Sequence, residues 1–69
     1  MTTIGDRLRY VRKTRRISQT ALGRMCGRGR RAVSKWEDGT TSPTARELAA
    51  IAEALPIDLH WIITGRKRP

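Results

Sequence analysis

The segment from Ser18 to Glu37 constrains the fold of this 69-residue chain more than any other part of it. Two stretches that favour helices, 18–26 and 28–37, lie on either side of Gly27. Because glycine adopts a positive φ at no steric cost, Gly27 can end the first helix and turn the chain sharply into the second. The segment therefore predicts two short helices that cross around a tight turn.

The same segment predicts that its two helices touch each other. Gly23 lies inside the first helix, where glycine costs roughly 0.5–1 kcal/mol relative to alanine. We expect this glycine to leave room for Val33 on the crossing helix, with Gly27 and Trp36 completing the same packed corner. The outer side of the second helix then carries the polar residues Arg30, Arg31, Ser34 and Lys35. A packed corner with a basic outer face is typical of a helix-turn-helix motif, whose usual partner is duplex DNA; a plain helical hairpin is the structural alternative.

Helical patterns cover nearly the whole chain, and no stretch alternates long enough to predict a strand. The expected helices run from about Thr3 to Arg15, from Ser18 to Cys26, from about Arg30 to Glu37, from about Thr44 to Leu55 and from Asp58 to Gly65. Ser18 and Asp58 are suitable N-caps for the second and fifth helices, and Gly39 and Gly65 suit helix C-termini. We therefore predict an all-α protein, a compact five-helix domain.

The length of the chain leaves room for one domain. A domain this small buries only about 60% of the surface of its unfolded chain, so its core must be thin. We assign residues 1–65 to the domain and residues 66–69 to a basic tail, which we expect to be mobile. No apolar run approaches the roughly 18 residues that cross a bilayer. Because the single cysteine, Cys26, cannot form an internal disulfide, we expect a protein of a reducing, cytoplasmic environment.

Positive charge is concentrated in the first half of the sequence. The chain carries 15 Lys and Arg residues against six Asp and Glu, a formal net charge of +9. Residues 1–35 carry a net charge of +10, residues 36–65 carry −4, and residues 66–68 add +3. This polarity predicts one face that meets a polyanion and another that does not.

The residues that could suggest catalysis or metal binding favour neither. The run 27–32 fits the G-x-G-x-x-G/A dinucleotide pattern, but a helix precedes it where that motif needs a strand. Asp58 and His60 are two residues apart on a helix and cannot face each other as triad partners do. Cys26 has no His or Cys at a zinc-binding spacing. We predict no enzymatic activity, no cofactor, no metal site and no small-molecule substrate.

The segment from Ile17 to Pro43 resembles the helix-turn-helix of the lambdoid phage repressor and Cro family, also called the xenobiotic-response-element type. The resemblance is carried by Ile17-Ser18-Gln19, Leu22-Gly23, Gly27, Val33-Ser34-Lys35-Trp36-Glu37, Gly39 and Pro43. Residues 48–55 and 58–65 resemble the fourth and fifth helices of that family, so the likeness covers nearly the whole chain. It implies a lambda-repressor-like DNA-binding domain, closest in layout to a small Cro-like regulator.

The resemblance implies a transcriptional repressor that binds a pseudo-palindromic operator as a homodimer, at least on DNA. The third helix of each copy would lie in the major groove, with half-sites about 34 Å apart. Base contacts are then expected from Arg30, Arg31, Ser34 and Lys35, since arginine is the best bidentate partner for guanine O6 and N7. Phosphate contacts are expected from Gln19, Arg28, Gly29, Thr40, Thr41 and Ser42.

The resemblance also implies contacts within and between copies of the chain. It places a buried ion pair between Arg12 and Glu37, which would tie the first helix to the end of the third. It places the dimer interface at Ile57, Leu59 and His60.

Two residues depart from the family pattern at the turn. Arg28 stands where the family usually has an apolar side chain, so this arginine must extend outward or leave the corner less well packed. Gly29 stands where the family usually has a capping Ser, Thr or Asn, which costs a few tenths of a kcal/mol.

Other functions remain compatible with the same five helices. Within DNA binding, the chain could be the antitoxin of a toxin–antitoxin pair or a restriction–modification controller. From a different class, it could be an adaptor that binds protein or RNA, in which case the sequence of a duplex would not affect affinity. The operator sequence does not follow from two arginines, because DNA deformation also contributes to specificity.

Overall fold

The computed structural model describes residues 3–67, and within them the chain forms five α-helices and no strand. The helices are α1 (Ile4–Thr14), α2 (Gln19–Met25), α3 (Arg30–Glu37), α4 (Ala45–Ala54) and α5 (Leu59–Thr64). The expected all-α, five-helix fold is confirmed. The assigned domain and tail extend to residues 1, 2, 68 and 69, which lie outside the described part of the chain. None of the helices within residues 3–67 combines the length and apolar character needed to cross a membrane.

Side chains cap four of the five helices at their N-termini. The hydroxyls of Thr3, Ser18 and Thr44 each accept a hydrogen bond from an amide in the first turn of the helix that follows. The carboxylate of Asp58 does the same for α5. The predicted caps at Ser18 and Asp58 are therefore confirmed. Only α3 begins at a residue without a capping side chain, Gly29.

The core lies where α3 packs against α1 and α2, and α4 and α5 complete it. Its fully buried apolar side chains are Leu8, Leu22, Val33, Trp36, Leu48, Ile51 and Ile62. Val33 and Trp36, which the sequence placed in a packed corner, are among them. Partly buried apolar residues surround them, among them Ile4, Val11, Met25, Cys26, Leu55 and Trp61.

Helices α1 and α3 meet at Gly5, a glycine whose role the sequence pattern did not reveal. A Cβ atom built on Gly5 would lie 1.7 Å from the carbonyl oxygen of Trp36 and 2.6 Å from its carbonyl carbon. The first turn of α1 therefore lies directly against the backbone at the end of α3. Because any side chain at position 5 would push these backbones apart, Gly5 sets the distance between the two helices.

A bidentate ion pair between Arg12 and Glu37 also joins α1 to α3. The Arg12 Nε donates to Glu37 Oε2 at 2.7 Å and Nη2 donates to Oε1 at 3.0 Å. The two side chains are only 12% and 6% exposed. The remaining polar positions are also used, since Arg12 Nη1 donates to the Ile17 carbonyl at 3.0 Å and Gln19 Nε2 donates to Glu37 Oε1 at 3.1 Å. The hydrogen bonds to Glu37 raise the pKa of Arg12, which keeps the pair charged.

We expect Gly5→Ala to destabilise the fold, because the new methyl group would overlap the Trp36 carbonyl. Because the backbone of α1 or α3 must move, we expect the free energy of unfolding to fall by about 3 kcal/mol, at the upper end of what overpacking costs. This loss would be much of the stability of a small domain and would show in thermal unfolding followed by circular dichroism. Gly29→Ala is the control, because a Cβ there meets no atom within 4 Å. Equal melting temperatures for the two variants would contradict the close approach of Gly5 to the Trp36 carbonyl group.

We expect Arg12→Ala to lower the free energy of unfolding by about 3–5 kcal/mol, because Glu37 would be left buried and unpaired. The double variant Arg12→Met, Glu37→Gln should recover part of this loss, since it leaves no buried charge. Arg9→Ala, an exposed arginine of the same helix, should change stability by no more than about 0.5 kcal/mol. Urea denaturation of the three variants checks the expectation, and a free energy of unfolding unchanged by Arg12→Ala would refute it.

Candidate nucleic-acid interface

The outer face of α3 presents a cluster of cations. Arg30, Arg31 and Lys35 are exposed and Ser34 is partly exposed, while Val33, Trp36 and Glu37 on the opposite side are buried. None of the three cations forms a salt bridge with any residue from 3 to 67. The four residues expected to contact bases therefore share one accessible stripe, and we call residues 30, 31, 34 and 35 the outer face of α3.

The turn before α3 is tight because two glycines shape it. Gly27 has a φ of 74°, the left-handed conformation that the sequence predicted. The next amide, that of Arg28, donates to the Gly23 carbonyl at 2.8 Å. A Cβ on Gly23 would lie 2.5 Å from the Arg28 carbonyl oxygen and 3.0 Å from that of Gly29. The group that comes nearest to Gly23 is thus the backbone of the turn itself, and the expected proximity of Val33 stays a prediction.

Arg28 extends outward from this turn, one of the two outcomes expected of an arginine at this position, and contacts residues of other elements. Its Nη1 forms a salt bridge with Glu47 Oε2 on α4. Its guanidinium carbon lies 6.0 Å from the centroid of the Trp36 ring. The Arg28 side chain is 47% exposed and that of Glu47 only 13%. The charge of Arg28 is therefore partly neutralised within the protein, a pairing that the sequence did not indicate.

The loop between α3 and α4 offers fewer phosphate donors than its composition suggests. Thr40, Thr41 and Ser42 are all exposed. The amides of Thr40 and Thr41 already donate to the Lys35 carbonyl, at 3.0 and 3.3 Å. The hydroxyl and amide of Thr40 also donate to Asp38, which lowers the pKa of that carboxyl group. The hydroxyl groups of Thr41 and Ser42 are the donors that this loop leaves exposed.

An open groove runs between α1 and the start of α2 and continues onto the outer face of α3. Its lining includes Gln19 and Thr20 from α2, Arg30 from α3, and Arg9 and Lys13 from α1. One N–H of the Gln19 amide is used by Glu37, so Gln19 braces α3 and keeps a second N–H for other partners. Arg9 and Lys13 were not among the expected phosphate contacts, although their spacing of four residues places both on one face of α1.

The residues expected at a dimer interface lie along the start of α5 and the loop before it. Ile57 and Leu59 are partly buried against the core, and His60 is exposed. Apolar surface nearby comes from residues that the sequence did not single out. Ile63 is half exposed, and so is Tyr10, whose ring meets Trp61 edge-to-face at 6.0 Å. The dimer interface stays a prediction.

Cys26 has the environment of a small buried hydrophobe. Its thiol is partly buried and donates to the Gly23 carbonyl at 3.4 Å. Burial raises the pKa of this thiol, so the reactive thiolate is disfavoured. Within residues 3–67, no group of three or more His, Cys, Asp or Glu side chains is placed to hold a metal ion.

Comparisons with known proteins agree on one family. The profile of the helix-turn-helix family matches residues 8–62. The chain is 36% identical over 63 residues to the transcriptional regulator DicA of Escherichia coli K12, which covers 91% of this chain and 47% of DicA. It is 37% identical over 62 residues to repressor protein C2 of Salmonella phage P22, which covers 90% of this chain and 29% of C2.

A solved structure extends the agreement to the whole fold. In a crystal structure of the P22 c2 repressor in complex with a synthetic operator, the matching chain has a TM-score of 0.84 and 35% identity to this one. The match covers 96% of this chain and 100% of that chain. By contrast, the chain spans less than half the length of the curated relatives named above. The chain therefore belongs to the helix-turn-helix family of Cro/C1-type, lambdoid repressors that its sequence resembles.

Proposed function

We propose that this chain represses transcription by binding a specific duplex DNA sequence, with α3 in the major groove. The outer face of α3 carries this proposal. It holds three exposed cations without salt bridges to residues 3–67, on a helix whose opposite face is locked into the core. A duplex presents phosphates, which attract positive charge, and base edges, which accept hydrogen bonds from an arginine held in a fixed position.

The comparisons support the same function. The relatives are named as a transcriptional regulator and a repressor, and the similar solved structure holds a synthetic operator. At 35% identity over 96% of the chain, the arrangement of α2 and α3 in that repressor is a sound guide to the arrangement here. This family consists of DNA-binding regulators rather than enzymes, and we assign the chain no catalytic activity.

The proposal gives the exposed residues separate roles. Arg30 and Arg31, at the start of α3, contact base edges, and Ser34 and Lys35 contact bases one turn later. Phosphates are held by groups around them: the second N–H of Gln19, the amide of Gly29 and the hydroxyls of Thr41 and Ser42. Because phosphate contacts carry no sequence information, they set the docking position while the arginines set the preference.

A second copy of the chain completes the proposed complex. Two-fold symmetric operators are bound by two-fold symmetric proteins, with half-sites about 34 Å apart along the duplex. Ile57, Leu59 and His60 are proposed to meet their counterparts across that axis, with the exposed Ile63 beside them. The protein would act in the cytoplasm, where bacterial operator DNA lies.

Selection of binding sites from a random duplex library, at about 150 mM salt, tests the proposed function, because affinities depend steeply on salt. Enrichment of a pseudo-palindrome with half-sites about one helical turn apart would support the dimeric operator complex. Salt-dependent binding without any enriched sequence would contradict it. In that case the charge serves only the DNA backbone, and a protein partner, as for an antitoxin or an adaptor, must supply specificity.

We expect Arg30→Ala and Arg31→Ala each to lose roughly 1–3 kcal/mol of binding free energy on the selected duplex and less on random duplex. Arg46→Ala, which removes an exposed charge from α4, should leave both affinities nearly unchanged. Fluorescence anisotropy with the two labelled duplexes measures the difference. Equal losses on both duplexes would instead assign these arginines to phosphates.

A further inference from the structure

We propose that Arg28 and Glu47 position α3 for DNA: their salt bridge tethers the turn between α2 and α3 to the start of α4. Residues 28 and 47 are 19 positions apart, and the pair is a direct link between the turn and α4. The expected effect on DNA binding rests on the proposed function. The link between the turn and α4 does not depend on that function. It makes Arg28 and Glu47 positioning residues and not contacts to the DNA.

Backbone contacts hold the turn to α2, and its two glycines add no side chain to these contacts. Glycines flank Arg28 on both sides, and a Cβ on either Gly27 or Gly29 would meet no atom within 4 Å. Gly29 is the N-cap of α3 and supplies no capping side chain. The amides of Gly27 and Arg28 donate to carbonyl groups of α2, those of Arg24 at 3.3 Å and Gly23 at 2.8 Å, and the Arg28 side chain adds the link from the turn to α4.

Glu47 is a rigid anchor because its two oxygens have separate partners. Its Oε1 accepts the amide of Thr44 at 2.8 Å, and the Thr44 hydroxyl accepts the Glu47 amide at 3.1 Å, which completes a capping box at the start of α4. Oε2 is left to face Arg28. The Thr44 amide and the Arg28 guanidinium lower the pKa of Glu47, so the carboxylate stays charged at neutral pH.

Arg28 also contacts α3 itself. The guanidinium stands near the ring of Trp36, which is buried in the core on the inner side of α3. One side chain thus touches the turn, α3 and α4 together. Since Arg30 and Arg31 follow within three residues of Arg28, a shift of the turn would displace the first two base-contacting positions before any others.

The alternative role of Arg28, a phosphate contact, predicts the opposite effect of Glu47. If Arg28 served a phosphate, removing the charge of Glu47 would release the guanidinium and tighten binding to every duplex. If Arg28 is a tether, removing either partner weakens binding to the preferred duplex. Glu47→Gln separates the two roles cleanly, because glutamine also serves at this capping-box position and keeps α4 capped.

The test compares Arg28→Gln, Glu47→Gln and the double variant on the selected duplex and on random duplex, over a range of salt concentrations. Each single variant should weaken binding to the selected duplex by about threefold to tenfold, and the double variant no further, as coupled residues do. The slope of log affinity against log salt should stay unchanged, because no phosphate contact is lost. Arg46→Gln, beside Glu47 and without a salt bridge within residues 3–67, controls for the general loss of charge.

Hydrogen exchange in the free protein tests the tether without DNA. The Arg28 amide donates to the Gly23 carbonyl at 2.8 Å, so its exchange rate reports opening of the turn. Both single variants should speed this exchange by about tenfold, while the Leu22 amide within α2 keeps its rate. Should the chain bind no specific duplex, the proposed function fails, and this measurement still decides whether the tether exists.

Three results would overturn the inference. One is tighter DNA binding by Glu47→Gln, and another is a salt slope that falls by about one in Arg28→Gln, because each assigns Arg28 to a phosphate. The third is an Arg28 amide whose exchange rate is the same in both variants as in the unchanged protein.

Discussion

The orientation of α3 depends on the buried pair between Arg12 and Glu37. Helix α3 has eight residues and no capping side chain, so it has little stability of its own. Val33 and Trp36 hold it to the core through apolar contacts, which are strong but not directional. The pair adds direction, because two parallel hydrogen bonds hold the end of α3 in one orientation against α1. That orientation decides which side chains of α3 face outward.

Pairing, more than composition, determines where positive charge remains available. Glu37 and Glu47 are each bonded to an arginine inside the protein, Arg12 and Arg28. Neither carboxylate is left to neutralise the outer face of α3. Several cations held close together in water repel one another, and contact with a polyanion relieves that repulsion while releasing condensed counterions. These two carboxylates thus stabilise the domain, and the outer face of α3 keeps three cations without a salt bridge to residues 3–67.

Features that depend on neighbouring residues could be predicted. The caps at Ser18 and Asp58, the left-handed Gly27 and the buried faces of Val33 and Trp36 all follow from residues within one or two helical turns. The need for a small residue at position 23 was also recognised, but the close approach of the Arg28 and Gly29 carbonyl groups was not. A glycine inside a helix shows that some group comes close, and it does not show which group that is.

The sequence by itself determined the fold class, the helix positions and the basic outer face of α3, because periodicity, capping and charge act over a few residues. Only the tertiary structure decided that Gly5 lies against the Trp36 carbonyl and that Arg28 pairs with Glu47. Five carboxylates follow Arg28 in the sequence, and the charge of an arginine does not distinguish between them. Arg28 pairs with Glu47 because α4 packs beside the turn, and contacts between residues so distant in sequence form only when the helices assemble.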